Sequence, residues 1–314
     1  MNKAADNAAN LVANLRNKNQ NNTGAVDELK VDPHFYEDPQ AAKLIEYAVN
    51  RGKNVILVGP TGCGKSCLAI NVLARLKRKA EIVSCHGETS SDVLIGKPWI
   101  QKDEETNETI TKVAYGAALR AYKFGKTLLL EEVDVALPDV LASIQRIMEV
   151  KTDYYNCDIG EQEIIPKDDL FSVIGTANTI GTGEDSFMYA GTKPLNLSFI
   201  NRFSIRIILG YLPKAKEIKV LIDKTGVDAA TAEKMVKVAN DVRDASDPKR
   251  IAAGNVPGGT PLVSVISTRD LLEWGDLVVE TGMDVKEAAK PCFLNLMPEA
   301  DKNAVQKFID NHIV

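Results

Sequence analysis

Short, nearly continuous apolar runs recur along the chain between residues 54 and 209, separated by longer stretches with helical spacing. Runs of this kind are typical of parallel strands that are covered on both faces of a sheet. They predict five strands, at Asn54–Val58, Glu81–Cys85, Thr127–Leu130, Phe171–Thr176 and Ser204–Leu209. Strands that alternate with helices indicate an α/β fold built on a parallel sheet.

Two of the intervening stretches carry clear helical periodicity. The spacing predicts helices over Lys65–Leu76 and Pro138–Val150. In the second, the apolar residues recur at steps that form one stripe on a helix: Val140, Leu141, Ile144, Ile147 and Met148. Pro138 and Asp139 suit the first turn of that helix.

The strand pattern stops after the sequence GYLP, which ends at Pro213. The segments that follow predict helices over 214–225, 228–245, 267–281 and 301–310. We therefore expect an α/β domain over residues 26–212 and an α-helical domain over 213–314. Residues 1–25 are rich in Asn and Ala, a composition that favours a mobile extension.

Composition narrows the class of protein. A chain of 314 residues with a net charge of -5 gives no support to a general nucleic-acid-binding or anionic-membrane surface. No apolar run approaches the ~20 residues that span a bilayer, and the N-terminus lacks the apolar core of a signal peptide. Five scattered cysteines without a CxxC pair favour a reducing cytoplasm.

The stretch GPTGCGKS follows the first predicted strand and precedes the first predicted helix, and it fits the phosphate-loop (Walker A) pattern G-x-x-x-x-G-K-[ST]. Glycines at these positions allow backbone N–H groups to turn towards phosphate oxygens at the positive end of a helix. Lys65 is expected to reach the β- and γ-phosphates of a nucleotide, and Ser66 to bind Mg²⁺. The residues that form the loop are Gly59, Pro60, Thr61, Gly62, Cys63, Gly64, Lys65 and Ser66.

An acidic pair ends the third predicted strand, in KTLLLEEVD. We assign Glu131 to Mg²⁺ and Glu132 to the attacking water, because phosphoryl transfer needs both a metal ligand and a residue that orients water. Without the phosphate loop, two carboxylates at a strand end would be unremarkable. Beside it they indicate nucleotide hydrolysis.

The order of several stretches resembles an AAA+ ATPase of the MoxR-like and dynein-related branch. They are GKNVILVGPTGCGKS, HGETSSDVLIGKPWI, YGAALRAYKFGKTLLLEEVDVALPDVLASIQRIME, FSVIGTANTIGTGEDSFMYAGTKPLNLSFINRFSI and VSVISTRDLLEW. The branch includes the AAA+ subunit of aerobic cobaltochelatase and the activators of Rubisco and nitric-oxide reductase. The resemblance implies a P-loop NTPase fold with a five-stranded parallel sheet, β-hairpin insertions and a C-terminal α-helical lid.

The same resemblance assigns further roles by position. Asn178 matches the sensor 1 residue beside the γ-phosphate, Arg202 the arginine finger that reaches a neighbouring subunit, and Arg269 the sensor 2 residue on the lid. Both arginines could instead be ordinary surface residues. The branch usually has Asp where Glu131 stands, and often Asp where Asn201 precedes the finger.

Two insertions are predicted to form hairpins, WIQKDEETNETITKV and DYYNCDIGEQEIIPKDD. In the branch such hairpins project towards the pore of the ring or towards a partner. The same sequence pattern is also typical of hairpins that are simply solvated at the surface. The aromatic loop with Phe187, Met188 and Tyr189 is a second candidate partner contact, and a loop that packs its own aromatic side chains onto the core is the alternative.

The leading hypothesis is an ATP- and Mg²⁺-dependent ATPase that forms a homo-oligomeric ring, commonly a hexamer in this branch, and remodels or activates a partner protein as MoxR-like chaperones do. The resemblance implies a partner with a von Willebrand A-type domain. The alternatives are the motor subunit of a cobalt or magnesium chelatase, and a nucleic-acid-directed motor such as a clamp loader, helicase or restriction motor. The preference for ATP over GTP rests on the resemblance.

Overall fold

The computed structural model describes residues 29–102, 108–149, 154–157, 163–179 and 192–313. The extension predicted for residues 1–25 and the aromatic loop around Phe187, Met188 and Tyr189 lie outside these residues. Within the described ranges, no helix is both long and apolar enough to cross a membrane.

A five-stranded parallel sheet forms the centre of the α/β region, as the sequence predicts. The strands of the chain are β1 (Val55–Val58), β2 (Ala80–Ser84), β3 (Gly96–Lys102), β4 (Thr109–Tyr115), β5 (Thr127–Glu131), β6 (Tyr154–Cys157), β7 (Glu163–Pro166), β8 (Ser172–Ala177) and β9 (Ile205–Ile208). The sheet has the order β2-β5-β8-β1-β9. β1 lies between β8 and β9, so its carboxyl end is flanked by the ends of those two strands.

The other four strands form the two predicted hairpins. β3 pairs with β4 in antiparallel register, from Gly96 opposite Tyr115 to Lys102 opposite Thr109. β6 pairs with β7 in the same sense. In the first hairpin Trp99 and Ile100 are 54% and 69% exposed, so this insertion carries apolar side chains into solvent.

Helices flank the sheet and dominate the chain that follows it. They are α1 (Pro39–Asn50), α2 (Lys65–Arg75), α3 (Ser91–Leu94), α4 (Ala117–Lys123), α5 (Pro138–Ser143), α6 (Leu197–Ile200), α7 (Lys214–Thr225), α8 (Ala229–Ser246), α9 (Pro248–Ala252), α10 (Thr268–Thr281), α11 (Val285–Cys292) and α12 (Glu299–His312). The predicted helices after residue 213 are confirmed to within two residues at each end. Their ends carry strong local signals, such as Gly226 in the left-handed conformation after α7 and the Asp228 side chain capping α8.

The helix predicted over Pro138–Val150 is shorter in the structure. α5 ends at Ser143, and turns follow to Met148. The hydroxyl of Ser143 donates to the carbonyl of Val140 at 2.6 Å, and the amide of Ile144 donates to Leu141, three residues back. Side-chain bonding of this kind competes with the helical ladder. The apolar stripe is buried nonetheless, so the periodicity correctly identified core residues but not the full helix.

Alternation along the strands gives the sheet two apolar faces. Val55 and Leu57 of β1 pack in the cluster formed with α1 and α2, whereas Ile56 and Val58 pack in the cluster that contains α4 and the buried stripe after β5. A third cluster lies within the helices from α7 onward and surrounds Trp274, whose indole N–H donates to the carbonyl of Val285 at 2.8 Å. The domain division at residue 212 stays a prediction.

Candidate functional site

Three segments that are distant in sequence meet at one edge of the sheet, the edge formed by the carboxyl ends of its parallel strands. The phosphate loop follows β1, the acidic pair ends β5, and Asn178 follows β8. Because these strands are parallel and in close register, with Val58 opposite Ala177 and Leu130 opposite Gly175, their carboxyl ends lie side by side. This edge is where ligands bind in open α/β sheets.

The phosphate loop is a tight cradle that leaves no room for side chains at two of its glycines. A Cβ on Gly59 would lie 2.3 Å from the carbonyl oxygen of Leu209. Gly62 has a φ of +71°, and Gly64 adopts the left-handed conformation directly before α2. The loop therefore directs backbone towards the N-terminus of α2, where N–H groups and the helix dipole favour an anion.

Lys65 connects the loop to the predicted sensor residue. Its ammonium group donates to the carbonyl oxygens of Gly59 and Pro60, at 2.7 and 2.9 Å, and to Oδ1 of Asn178 at 2.9 Å. Burial lowers the pKa of Lys65, and the nearby carboxylates of Glu132 and Asp134 oppose that shift. A buried cation held by neutral acceptors is well suited to pair with phosphate instead.

The acidic pair has two different environments. Oε2 of Glu131 accepts a hydrogen bond from the hydroxyl of Ser84 at 2.7 Å, which orients this carboxylate at the end of β5. Glu132 is exposed, and its backbone has a φ of +55°. Hydroxyl and carboxylate oxygens are the ligands that Mg²⁺ prefers. The hydroxyl of Ser66 and the carboxylate of Glu131 therefore fit the chemistry of a magnesium site.

A neutral thiol lies beside these carboxylates. Burial, with a further contribution from Glu131 and Glu132, raises the pKa of Cys85 to about 12. Cys85 therefore stays protonated at physiological pH and adds no negative charge to the site.

A cavity of about 390 Å³ opens next to the phosphate loop. Its walls combine Phe35 and Tyr36, which precede α1, with Tyr211, which follows β9, and with Leu68 of α2. The hydroxyl of Tyr211 donates to the carbonyl of Thr61 in the loop at 3.1 Å. A flat apolar group fits such walls. The sequence alone did not reveal this cavity, because its two sides come from segments without a motif.

The first turn of α10 lies against the phosphate loop. A Cβ on Gly62 would lie 2.4 Å from Oγ of Ser267 and 3.6 Å from Cβ of Arg269. Ser267 is the N-cap of α10 and forms a capping box with Asp270. The structure therefore brings the predicted sensor 2 arginine next to the loop of its own chain.

Gly62→Ala is expected to disrupt this contact. The substitution forces a Cβ into Ser267 and strains a left-handed backbone, so we expect a loss of about 1–3 kcal/mol in the free energy of unfolding and weaker nucleotide binding. Thermal unfolding and nucleotide titration measure the two effects. Adding Ser267→Gly to Gly62→Ala removes the colliding atoms and should restore part of the binding; no restoration would contradict this cause.

Arg202 lies at the opposite end of the sheet. The side-chain amide of Asn54, the residue before β1, donates to the carbonyl of Arg202 at 3.0 Å, whereas the phosphate loop begins after β1. A strand of this length separates its two ends by about 13 Å. The guanidinium group instead donates to the carbonyl of Ser198 at 2.8 Å and to Glu149 at 3.1 Å. The structure thus does not bring Arg202 to the loop of its own chain.

Two family models and several related proteins match most of the length of this chain. The family model described as the AAA domain of the dynein-related subfamily matches residues 54–203, and the model described as the CbbQ/NirQ/NorQ C-terminal domain matches residues 217–313. The aerobic cobaltochelatase subunit CobS of a Sinorhizobium species is 28% identical over 275 residues, which cover 88% of this chain and 80% of that protein. An uncharacterized protein of Staphylococcus haemolyticus is 26% identical over 83% of this chain and 91% of its own length.

A solved structure agrees at the level of the fold. A RuvB mutant from Thermotoga maritima aligns with a TM-score of 0.50 and 16% identity, over 88% of this chain and 78% of that chain. The α/β P-loop architecture with a C-terminal helical region is common to both.

Proposed function

The chain belongs to the dynein-related subfamily of AAA domains, joined to a CbbQ/NirQ/NorQ C-terminal domain, and from this premise we propose that it hydrolyses ATP in a homo-oligomeric ring. The observation that carries the proposal is the separation of Arg202 from the phosphate loop of its own chain. In an isolated subunit, Arg202 is held away from the phosphate loop by its contacts with Ser198 and Glu149. A neighbouring subunit in a ring supplies the arginine finger instead.

Each residue of the candidate site around the phosphate loop has a role in the proposed ATP hydrolysis. Lys65 exchanges its bonds to loop carbonyls for phosphate oxygens, and Ser66 and Glu131 hold the metal ion. Mg²⁺, when bound, neutralises phosphate charge. Glu132 orients the attacking water and accepts its proton, and Asn178 holds that water in line. Arg202 of the neighbour stabilises the charge of the transition state.

The cavity beside Tyr211 is the proposed site for the adenine base. It adjoins the phosphate loop, and its lining includes Phe35, Tyr36 and Tyr211, which suit a stacked heterocycle. The lining also contains the polar side chains of Asp38, Gln40 and Arg206. The bond from Tyr211 to Thr61 connects this cavity to the loop and to the start of α7. Nucleotide exchange in the cavity is therefore positioned to move the helical region relative to the sheet.

We assign this movement to the remodelling or activation of a partner protein. The likeness of the C-terminal region to CbbQ/NirQ/NorQ proteins supports an activator-type role. A hexamer as the ring size, a von Willebrand A-type partner and a cytoplasmic location remain predictions from the sequence.

The proposal predicts that turnover depends on assembly. If the finger comes from a neighbour, ATP hydrolysis per subunit should fall on dilution through the concentration at which the ring dissociates, since each isolated subunit is inactive. Steady-state phosphate release and light scattering over the same protein concentrations measure both quantities. Constant activity in fully dissociated protein would contradict the shared site.

The motor of a cobaltochelatase is a second candidate function. It is favoured by the identity of 28% to a cobaltochelatase subunit over 88% of this chain. In this case, ATP turnover should rise when the remaining subunits of an aerobic cobaltochelatase are added. ATP turnover that does not change when those subunits are added favours a different partner.

A further inference from the structure

Asp134 forms a bridge between the segment after β5 and the segment after β8. Its Oδ2 accepts hydrogen bonds from the backbone amides of Asn178 and Thr179, at 2.8 and 3.0 Å, and from the hydroxyl of Thr179 at 3.3 Å. Asp134 is two residues beyond Glu132. One carboxylate oxygen therefore connects the segment that carries the proposed base to the residue that carries the proposed sensor amide.

Two hydrogen bonds to Thr176 form a second bridge between these parts of the chain. The hydroxyl of Thr176 in β8 accepts from the amide of Glu132 at 3.1 Å, and its carbonyl accepts from the amide of Val133 at 2.9 Å. These bonds hold Glu132 at a φ of +55°, a conformation that is unfavourable for a non-glycine residue. The two sets of hydrogen bonds therefore join the segment after β5 to β8 and the segment that follows it.

Structural stabilisation alone is a poor explanation of a carboxylate at this position. Asp134 is 0% exposed, and its Oδ1 has no hydrogen-bond partner within the described part of the chain. A buried carboxylate with one oxygen left without a hydrogen-bond partner costs free energy. Such exceptions are concentrated at functional sites.

We propose that Asp134 is a positioning residue for hydrolysis, which sets the distance between the Glu132 carboxylate and the Asn178 amide by fixing the backbone at residues 178–179. The inference rests on the proposed function. It differs from a role in nucleotide binding, because Asp134 bonds to the segment after β8 and not to the phosphate loop. Misplacing a catalytic group by about 1 Å lowers the rate on the order of 100-fold.

Two substitutions and a cycle test this role. Asp134→Ala should lower kcat by roughly 100-fold, with KM and the dissociation constant for a fluorescent ATP analogue changed by less than about 3-fold. Asp134→Asn keeps an acceptor oxygen and should lower kcat by only a few-fold. The exposed Asp169→Asn is the matched control and should behave as wild type.

The cycle with Asn178→Ala separates positioning from general stability. If Asp134 acts through Asn178, its substitution should lower kcat little further once the Asn178 amide is absent. An equal loss in both backgrounds, or an unchanged kcat in Asp134→Ala, overturns the inference. If Asp134→Ala fails to fold, the cycle is run with Asp134→Asn, where a loss of a few-fold in wild type and none in Asn178→Ala is expected.

Amide hydrogen exchange gives a readout that does not require turnover. In the nucleotide-free protein, peptides spanning 172–179 should exchange faster in Asp134→Ala than in wild type or Asp169→Asn, because two amides lose their acceptor. Unchanged exchange overturns the inference. A wild-type protein that binds ATP without hydrolysing it would overturn the proposed function instead, so the two failures are distinguishable.

Discussion

Arg202→Ala is expected to lower ATP turnover by roughly 10³–10⁵-fold, the range found for arginine fingers, while each subunit still binds ATP. The backbone of Arg202 lies at the amino end of β1, whereas the phosphate loop follows its carboxyl end, so the proposed shared site requires that Arg202 act on the nucleotide of a neighbouring subunit. Phosphate release measures turnover, and equilibrium titration with a fluorescent nucleotide measures binding.

Mixing two inactive variants makes this expectation sharper. Arg202→Ala keeps an intact acidic pair, and Glu132→Gln keeps an intact finger, so mixed rings contain sites in which both groups are present. Activity should therefore reappear on mixing. Failure to recover activity in rings proven to be mixed would show that Arg202 does not act between subunits.

The internal contacts of Arg202 require their own control. Its guanidinium bonds to Glu149, which also pairs with Arg146 at 3.3 Å on the surface. Arg146→Ala removes a cation from the same carboxylate and should leave turnover near the wild-type value, because surface pairs contribute about 0–1 kcal/mol. A comparable loss in Arg146→Ala would point to the conformation of Glu149 as the cause.

Glu132→Gln is expected to lower turnover by roughly 10²–10⁴-fold, as loss of a general base does, and to retain bound ATP. The amide has the shape of the carboxylate but cannot accept a proton from water. ATP should therefore hold the subunits together, and electron microscopy of this variant should show a persistent assembly of defined subunit number. The retained nucleotide can be identified by chromatography after denaturation.

Glu131→Gln is the matched comparison on the adjacent residue. Because Glu131 is oriented by Ser84 as the proposed metal ligand, its amide should raise the Mg²⁺ concentration needed for half-maximal turnover. It should not trap ATP. The opposite pattern, with trapping by Glu131→Gln and a metal defect in Glu132→Gln, would exchange the two roles.

Local sequence patterns predicted most of the fold correctly. The five parallel strands and both hairpins are confirmed, because apolar runs and turn residues act over a few neighbours. The helix over 138–150 was predicted too long, since side-chain bonding by Ser143 is not visible in the periodicity. Six helices with short or less distinctive spacing were not predicted: α1, α3, α4, α6, α9 and α11.

The residues of the candidate site also fall into two groups, those that the local sequence identifies and those that only the fold brings together. The sequence determined the phosphate loop, the acidic pair and the order of strands and helices, because each depends on residues that are adjacent in the chain. Only the tertiary structure decided that Lys65 bonds to Asn178, that Arg269 faces the loop of its own chain, and that Arg202 lies at the opposite edge. The roles of Tyr211, Thr176 and Asp134 also came from the fold. The physical reason is that these contacts join segments up to 150 residues apart, as in the bond from Tyr211 to Thr61, and parallel packing of the strands sets them.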